Sequence, residues 1–540
     1  MEFEQRTIAP ERAEQYVREG FWDDRSLGAF LSVGLHDAAA ADFCVVSDRR
    51  PYRGTLREVD GLARRVATGL RARGIGPGDP VAFQLPNWAE AAATFYAIAY
   101  LGAIVVPIVH FYGPKEVAYI LARTRVKALI TADSFGHIDY VANLDAMAPD
   151  LPDLEWAAVV GDSDGSYLRF ADLVADDPIA QPAPVDPTAP ALIAYTSGTT
   201  SDPKGVMHSH RTIGAEIRQL GAIQPAGPPT LVGAPVGHGI GMLAALLLPV
   251  QRRAPIWLID VWDPGRVLHT MLAENVLSGS GATYFLISLL DHPDFDERHA
   301  RLMPTIGLGG SAVPAAVGER AEALGITTTR AFGSTEHPSI TGMTGDAPRE
   351  KRLYTDGAPL PGVELRIVDD DGRDVPRGTP GEIWSRGPDC FVGYTDPALT
   401  RDAFAAGDWY MTGDIGVLDA DGYLAITDRK KDIIIRGGEN ISAAEVEEQL
   451  VRIPGVAEVA VVAAPDPRLG ERACAFLRMQ TGEPVPDLEA VRAHLEAAGL
   501  ARQKWPEVVV PIDEFPRTAS GKVQKFVLRE RLRSERLRSE

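Results

Sequence analysis

A short loop rich in hydroxyl groups is the part of this sequence best suited to hold phosphate. It lies between Tyr195 and Met207 and combines serine and threonine hydroxyls with a glycine and a lysine. Hydroxyl groups donate hydrogen bonds, glycine lets backbone amides approach a ligand closely, and lysine adds a mobile positive charge. The residues concerned are Thr196, Ser197, Gly198, Thr199, Thr200 and Lys204. We therefore predict a phosphate-binding loop, with a nucleotide as its ligand.

The residue order in this loop differs from that of a Walker A motif. Pro203 precedes Lys204 and Gly205 follows it, whereas Walker A places a glycine before the lysine and a hydroxyl after it. P-loop kinases and GTPases are therefore disfavoured. An apolar run enters the loop and a helical pattern begins at His210, which predicts strand, loop and helix in that order. A polar surface turn is the alternative, and the density of hydroxyls beside Pro-Lys-Gly disfavours it.

Residues 332–336 follow a predicted strand, and ligands collect at the carboxyl edge of a parallel sheet. Thr335 can donate a hydrogen bond to phosphate. Glu336 offers carboxylate oxygen to Mg²⁺, a hard cation that keeps most of its water ligands. Phe332 and Gly333 are candidate nucleotide contacts in the same segment.

Two other segments suit the base and the sugar of a nucleotide. The glycine backbone of Gly309-Gly310-Ser311 ends a predicted strand and can lie flat against a planar base. The carboxylate of Asp414 can accept hydrogen bonds from two ribose hydroxyls, as acidic residues do in other nucleotide sites. The glycine segment and residues 332–336, each taken alone, are more often turns than sites, and the alternative for Asp414 is an aspartate-containing hairpin.

The last quarter of the chain adds a glycine pair and a lysine-bearing loop. Gly437 and Gly438 lack side chains that would block a narrow ligand channel, although a tight turn is the alternative. Ser442 and Glu445 form a helix capping box, so we assign them to capping and not to catalysis. Lys522 lies in a loop that would be a surface loop if it stood alone.

Composition restricts the class of protein. The chain has 540 residues, with 45% hydrophobic and 24% charged residues, which is ordinary for a globular protein of two or more domains. Its formal net charge of −20 repels nucleic acid and anionic membrane surfaces, so neither is an expected partner. Any anionic ligand must be held by local cations such as Arg429-Lys430-Lys431.

Cysteine usage and the amino terminus indicate the compartment. Cys44, Cys390 and Cys474 are widely spaced, which predicts neither a disulfide framework nor a zinc site. The start lacks a signal-peptide pattern, and the longest apolar run, residues 242–250, is too short to span a bilayer. We therefore expect a cytoplasmic protein without an integral membrane segment.

Alternating helical and strand patterns predict an α/β fold. Residues 56–185 and a second series of strands, which starts at 191–195, includes 282–285 and ends at 332, predict two related layers of parallel-type sheet in one large domain. Residues 363–427 read as a small β-rich subdomain. We place the large N-terminal domain at 1–428 and a small α+β C-terminal domain at 429–540, with a charged helical or disordered tail.

The order and content of these blocks resemble the ANL superfamily of adenylate-forming enzymes over nearly the whole chain. The superfamily comprises acyl-CoA synthetases, adenylation domains of peptide synthetases, and luciferases. The resemblance implies a mobile C-terminal domain that turns about Lys431, and it implies that ATP, Mg²⁺ and coenzyme A bind. The departures are Ser201, where the family loop usually has glycine, and Phe332, where tyrosine is common and a hydroxyl is lost.

By position, the resemblance assigns a role to each motif. The loop of residues 196–204 would hold phosphates, and Thr335 with Glu336 would hold phosphate and Mg²⁺. Asp414 and Arg429 would bind ribose. Lys522 would catalyse adenylate formation, and Gly437-Gly438 would line a pantetheine tunnel in a second step.

The acyl pocket implied by the family lies between residues 237–242 and the stretch 309–336, so His238, Met242, Gly309 and Phe332 are candidate walls. His238 is alternatively a packed core histidine. No aspartate stands in residues 235–238 to meet an amino group, which favours an uncharged acyl body. Segments 106–113 and 21–24 resemble bacterial ligases that act on medium-chain, alicyclic or aromatic acids.

The main hypothesis is an AMP-forming carboxylate:CoA ligase. An adenylating enzyme that loads a carrier protein uses the same residues, and only an assay of the acceptor separates the two. A nucleotide-binding module without catalysis is disfavoured by the joint presence of Lys204, Glu336 and Lys522. Luciferase-type oxidation is a further alternative, which light emission would reveal. The sequence leaves the oligomeric state open, a homodimer included.

Overall fold

The computed structural model describes residues 3–162, 165–196, 203–224, 228–311, 313–430, 432–436, 439–466, 468–518 and 521–539. Sheets and helices alternate along most of this length, which confirms the predicted α/β class. The largest unit is an eight-stranded sheet, parallel at its centre and antiparallel at one edge. Its strands, in spatial order, are Gly393–Tyr394, Lys204–Ser209, Pro190–Thr196, Ile104–Pro107, Pro80–Gln84, Ala128–Ala132, Trp156–Val160 and Leu168–Arg169.

A second layer is built from shorter sheets. Three parallel strands and one antiparallel strand form the first, in the order Leu231–Val232, Ile256–Ile259, Asp42–Val46 and Tyr52–Thr55. Thr305–Gly309 and Thr327–Ala331 form a parallel pair beside it. Because parallel strands end at the same edge, Gly309 and Ala331 lie opposite each other there, and the segments that follow them are neighbours.

Helices cover both layers. Leu56–Ala72 begins with the capping box of Thr55 and Glu58, and Ala89–Tyr100 is buried at every residue except Glu90, so it fills the interior beside the eight-stranded sheet. The remaining α-helices of the first 428 residues are Pro10–Arg18, Leu27–Asp37, Pro114–Thr124, Tyr140–Met147, His210–Ile223, Gly239–Met242, Leu248–Arg252, Pro264–Glu274, Thr283–Leu290, Glu297–Leu302, Ala315–Ala323, Arg349–Tyr354 and Pro397–Ala403. A π-helical stretch, Leu243–Leu247, joins two of them.

The predicted β-rich subdomain is confirmed as an antiparallel sheet. Its strands are Glu364–Val368, Gly381–Arg386, Trp409–Leu418, Phe404–Ala405 and Leu424–Arg429. The C-terminal residues form an α+β unit around a second core. Its strands are Ile434–Arg436, Glu439–Ile441, Val456–Asp466, Gly470–Met479 and Val508–Pro511, and its helices are Ala443–Leu450, Leu488–Ala497 and Lys525–Ser539.

The prediction that a helix directly follows the phosphate loop is wrong. The strand Lys204–Ser209 intervenes and pairs antiparallel with Pro190–Thr196, so the loop connects two strands of a hairpin. Residues 205–209 are buried, and Val206 and Met207 also pair with the strand Gly393–Tyr394 at the edge of the sheet. The helix begins at His210 as predicted, with Ser209 as its N-cap.

Two other predictions about the second layer are wrong. The strand predicted at 191–195 belongs to the first sheet. Residues 282–285, predicted as a strand, begin the helix Thr283–Leu290, because the apolar run continues with buried side chains at helical spacing through Leu289 and Leu290. No helix in the described part of the chain is long and apolar enough to cross a membrane.

Candidate active site

One cavity of about 1960 Å³ opens between the carboxyl edges of the sheets and the C-terminal unit. Every predicted site residue that the structure describes lines this cavity. They are Thr196, Lys204, His238, Met242, Gly309, Gly310, Ser311, Phe332, Gly333, Thr335, Glu336, Asp414, Arg429 and Lys522. Ser197, Gly198, Thr199, Thr200, Lys431, Gly437 and Gly438 lie outside the described residues. The tertiary structure therefore brings together groups that are separated by more than three hundred positions in sequence.

The Glu336 carboxylate is oriented by a buried tyrosine. The Tyr394 hydroxyl donates to Glu336 Oε1 at 2.8 Å, and the ammonium of Lys204 lies 5.3 Å from the centre of the Tyr394 ring. Burial, reinforced by the Glu336 charge, raises the pKa of Tyr394, so its hydroxyl stays protonated as a donor. Tyr394 therefore links the lysine of the phosphate loop to the carboxylate that suits Mg²⁺.

The loop that carries Thr335 is held from behind by a buried histidine. His208 Nε2 lies 2.7 Å from the backbone oxygen of Thr335, and the other ring nitrogen lies 3.3 Å from Thr212 Oγ1. Burial lowers the pKa of His208, so the ring is neutral at pH 7 and Nε2 carries the proton that it donates to the carbonyl. Sequence reasoning missed this role, since a histidine within a strand gives no local signal of its partner 127 residues away.

Further buried polar groups support the next turn of the same loop. His337 Nδ1 lies 2.8 Å from Ser385 Oγ, and His337 Nε2 lies 3.1 Å from Asp389 Oδ1. Ser339 donates its backbone amide to Asp389 Oδ2 at 3.0 Å and its hydroxyl to Glu216 Oε1 at 2.9 Å. Burial, together with the Asp389 carboxylate, raises the pKa of Glu216 well above its ordinary value. These groups attach the loop to two other elements.

Removing the Tyr394 hydroxyl tests whether its hydrogen bond orients the Glu336 carboxylate. We expect Tyr394→Phe to raise the KM for MgATP by about 5- to 30-fold, because a buried carboxylate that loses a hydrogen bond costs about 1–2 kcal/mol. The KM for the carboxylic acid that the family resemblance implies as substrate should change little. Steady-state kinetics with each substrate varied in turn check this, with Tyr423→Phe as the matched control in the β-rich subdomain. Equal changes in both KM values would indicate general damage to the site.

The predicted base-binding segments lie side by side. Gly310 adopts a φ of +74°, and a Cβ added there would lie 2.6 Å from Ile240 Cδ1. A Cβ on Gly333 would overlap the carbonyl oxygen of Pro338. Both positions therefore require glycine, for reasons of backbone conformation and close approach. Phe332 is buried and is one of the residues that line the cavity.

Asp414 and Arg429, which are both predicted to contact ribose, form an ion pair. They are cross-strand partners in the β-rich subdomain, and Arg429 Nε lies 2.9 Å from Asp414 Oδ1. The nearby Asp414 charge is the largest influence on Arg429 and raises the pKa of its guanidinium. The Asp414 side chain is 6% exposed and its position is set by the arginine. The pair can therefore present a pre-oriented acceptor and a donor to a sugar.

Lys522 reaches the cavity from a loop that contacts the N-terminal domain. The guanidinium of Arg517 lies 4.9 Å from the centre of the Tyr284 ring and donates to the backbone oxygen of Gly521 at 2.8 Å. Within the loop, Thr518 donates its amide to the backbone oxygen of Lys522 at 2.8 Å. These contacts hold the described residues of the loop, 517, 518, 521 and 522, against the start of the helix Thr283–Leu290.

His238 and Met242 lie at an apolar part of the cavity. Burial, with a smaller contribution from the positive charge of Lys522, lowers the pKa of His238 to about 4, so its ring is neutral at pH 7. Met242 is almost fully buried. The apolar residues that line the cavity on these helices include Leu220, Ile223, Ile240, Leu243, Ala244 and Leu248. Such a lining suits a hydrophobic group, with the lysine beside it.

The capping assignment of Ser442 and Glu445 is half confirmed. Ser442 accepts a hydrogen bond from the backbone amide of Glu445 at 3.1 Å, as a helix N-cap does. The Glu445 carboxylate does not complete the box and instead pairs with Lys504 at 2.6 Å. The serine hydroxyl also donates to the backbone oxygen of Thr427 at 2.9 Å, which joins the helix to the end of the β-rich subdomain.

Known proteins resemble this chain in both its large and its small unit. A family model described as AMP-binding enzyme matches residues 36–395, and one described as AMP-binding enzyme C-terminal domain matches residues 445–522. The medium-chain fatty-acid–CoA ligase of Escherichia coli (strain K12) is 33% identical over 97% of this chain and 93% of its own length. A salicylyl-CoA synthase / salicylate adenylyltransferase of a Streptomyces species is 32% identical over 97% of each chain.

A solved structure is similar over nearly the whole chain as well. The crystal structure of the anthranilate CoA ligase AuaEII with anthranoyl-AMP has a TM-score of 0.84 at 26% identity, and covers 94% of this chain and 97% of its own. The agreement extends over both the large and the small unit, so the overall arrangement is that of this enzyme class.

Proposed function

Because this chain belongs to the family of AMP-binding enzymes, we propose that it is an AMP-forming carboxylate:CoA ligase. The observation that carries the proposal is the position of Lys522, a C-terminal lysine that lines the same cavity as Lys204, Glu336 and the apolar surface at His238. One cavity thus combines cations for phosphate, a carboxylate for Mg²⁺ and an apolar surface for an acid's body. We assign residues 1–428 to a domain that binds ATP and the acid, and 429–540 to a domain that carries the lysine.

In the first half-reaction the substrate carboxylate attacks the α-phosphorus of ATP and pyrophosphate leaves. The acid is already ionised at neutral pH, since its pKa is about 4, so no general base is needed. The barrier is the approach of an anion to a polyanion. Lys522 would neutralise charge that develops on the α-phosphate, while Lys204 and Thr335 hold the departing phosphates, an electrostatic and positional form of catalysis.

The donor set fits Mg²⁺ bound mainly through the nucleotide. Among the described residues no group of three or more histidine, cysteine, aspartate or glutamate side chains is arranged to hold a metal ion. Mg²⁺ usually takes one or two carboxylates together with substrate phosphates and water. Glu336 would be that carboxylate, and the ion would supply additional positive charge at the phosphates.

In the second half-reaction the thiol of coenzyme A attacks the acyl-adenylate, a thioester forms and AMP leaves. Lys522 would obstruct the approaching thiol while it lies in the cavity. We propose that a rotation about Lys431 withdraws it and brings Gly437 and Gly438 to the thiol's path, a hinge movement confined to a few residues. This assignment rests on the family resemblance.

The acyl substrate is proposed to be an uncharged medium-chain, alicyclic or aromatic body. The residues around His238 and Met242 are apolar, and the related proteins are named for fatty and aromatic acids. A panel of octanoate, cyclohexanecarboxylate and benzoate, each with ATP, Mg²⁺ and coenzyme A, tests the proposal through acid-dependent release of AMP and pyrophosphate. Adenylate formation without acyl transfer to coenzyme A would redirect the assignment to a carrier-protein acceptor. Absence of acid-dependent pyrophosphate release would reject the ligase proposal.

Filling the apolar part of the cavity tests where the acyl chain lies. Ala244 lines the cavity within the π-helical stretch. We expect Ala244→Trp to lower kcat/KM for decanoate by about 10-fold or more relative to benzoate, because contacts equivalent to one or more methylenes are lost. Competition between the two acids in one reaction measures the ratio directly. An equal fractional loss of kcat/KM for both acids would indicate that the acyl chain of decanoate lies elsewhere.

A further inference from the structure

Two charged side chains of the C-terminal helix Ala443–Leu450 and the turn after it contact the N-terminal domain. Glu448 Oε2 accepts the backbone amide of Ala315 at 3.1 Å. Arg452 donates to Glu319 Oε2 at 3.2 Å and to Glu448 Oε1 at 3.0 Å. Both partners in the N-terminal domain belong to the helix Ala315–Ala323. One short row of charges therefore spans the two domains.

The surface of the N-terminal domain around the helix Ala315–Ala323 is electrostatically complementary to Glu448. Ala315 is the first residue of its helix, where backbone amides lack partners within the helix and favour an anion such as the Glu448 carboxylate. The buried guanidinium of Arg330 lies on the same side. Burial lowers the pKa of Arg330, while the charges of Asp356 and Glu448 act in the opposite direction. Glu448 is thus the acidic side chain of the C-terminal domain that interacts electrostatically with the Arg330 guanidinium.

The helix that carries Glu448 is joined by an ion pair to the helix Lys525–Ser539, which follows the loop that carries Lys522. The neighbouring Glu447 side chain is 15% exposed, and its carboxylate accepts the backbone amide of Val461 at 2.6 Å and pairs with Lys525 at 2.8 Å. Lys525 lies three residues beyond Lys522 in the chain. A displacement of the helix against the N-terminal domain must therefore move the lysine loop with it.

From these contacts we infer that Glu448 and Arg452 position Lys522, by holding the C-terminal domain in the arrangement that serves adenylate formation. The inference rests on the proposed function, and it identifies the contacts that set the balance between the two half-reactions. Any rotation that withdraws Lys522 from the cavity separates Glu448 from Ala315 and Arg452 from Glu319. The interface therefore favours the first half-reaction and opposes the second.

The charge reversal Glu448→Lys tests this inference. A lysine there faces the amino end of a helix and Arg330, so the arrangement with Lys522 in the cavity loses population relative to the others. We expect acid-dependent ATP–pyrophosphate exchange to fall about 5- to 30-fold, the range for the loss of one charged hydrogen bond and a new repulsion. Thioester formation from a supplied acyl-adenylate should be unchanged or faster. Both assays use whichever of octanoate, cyclohexanecarboxylate and benzoate the wild type converts fastest.

Two companion variants separate this effect from damage to the fold. Glu319→Lys disrupts the same interface from the N-terminal side and should change both assays in the same directions. Glu445→Lys lies on the same helix as Glu448 but breaks a pair with Lys504 inside the C-terminal domain, so both half-reactions should keep their wild-type rates. Thermal melting of each variant establishes that it is folded.

The outcomes distinguish the inference from the function on which it rests. If the wild type fails to form a thioester, the ligase assignment is wrong whatever the variants do. If the wild type performs both steps and Glu448→Lys leaves their ratio unchanged, or slows both equally, the positioning role is refuted. Opposite shifts in the two steps, absent in Glu445→Lys, support it.

Discussion

Replacement of Lys522 by alanine is expected to lower adenylate formation by about 10²- to 10³-fold, the usual cost of removing one preorganised group that stabilises transition-state charge. Lys522 lines the cavity beside His238, where the acid and the α-phosphate would meet. Binding of ATP should change much less than kcat, because the developing charge, and not the ground state, is what the ammonium meets. Acid-dependent pyrophosphate exchange measures the loss.

The same variant should spare the second half-reaction. Thioester formation from a supplied acyl-adenylate and coenzyme A does not need the ammonium, which would leave the cavity for that step. Lys504→Ala is the matched control, since that lysine also belongs to the C-terminal domain but pairs with Glu445 at the surface. Equal loss of both half-reactions in Lys522→Ala, with the control unaffected, would contradict the division of labour between them.

Replacement of Glu336 by glutamine is the second large effect that we expect. The amide can still accept a hydrogen bond from Tyr394, so the local packing is preserved while the negative charge is lost. A Mg²⁺ ion that relies on one protein carboxylate should then bind more weakly, and adenylation should fall by about 10²-fold at low Mg²⁺. Raising the Mg²⁺ concentration should recover part of the activity.

The dependence of the rate on Mg²⁺ concentration is therefore the decisive measurement for Glu336. Glu90→Gln serves as a matched control because the Glu90 side chain is only 15% exposed and pairs with an arginine, Arg50, away from the cavity. An unchanged Mg²⁺ dependence in Glu336→Gln would assign the carboxylate to loop structure alone. A shifted dependence, with unchanged KM for the acid, would support its assignment to the metal.

The buried groups behind residues 333–339 bear on the prediction for Glu336. His208, Asp389 and Glu216 come from distant parts of the chain and hold the loop that carries Thr335 and Glu336. The position of the Glu336 carboxylate therefore depends on hydrogen bonds that involve no substrate. Substitutions of His208, Asp389 or Glu216 are expected to raise mainly the KM for MgATP, as Tyr394→Phe does.

Local patterns in the amino-acid sequence predict much of this protein. Turn chemistry and apolar periodicity locate the β-rich subdomain and the helices of the C-terminal unit, because both depend on residues close together in sequence. The phosphate loop, the segment 332–336 and Lys522 are identified from residue types and spacing together with the family resemblance. All of the described members line one cavity.

Local patterns fail where residue type and structural environment disagree. Strand Lys204–Ser209 contains polar as well as apolar residues, yet it is buried from Gly205 to Ser209 without alternation. The helix Thr283–Leu290 begins with residues that favour strands. In each case the neighbours in space decided the structure.

The sequence by itself determined which groups are available for chemistry: hydroxyls and a lysine for phosphate, a carboxylate for Mg²⁺, and a distant second lysine. Only the tertiary structure decided which side chains orient them, such as Tyr394 on Glu336 and His208 on Thr335, and which charges hold the two domains together at Glu448 and Arg452. The reason is physical. A buried polar group is stabilised by whichever partner the fold brings within about 3 Å, and that partner can lie anywhere in the chain.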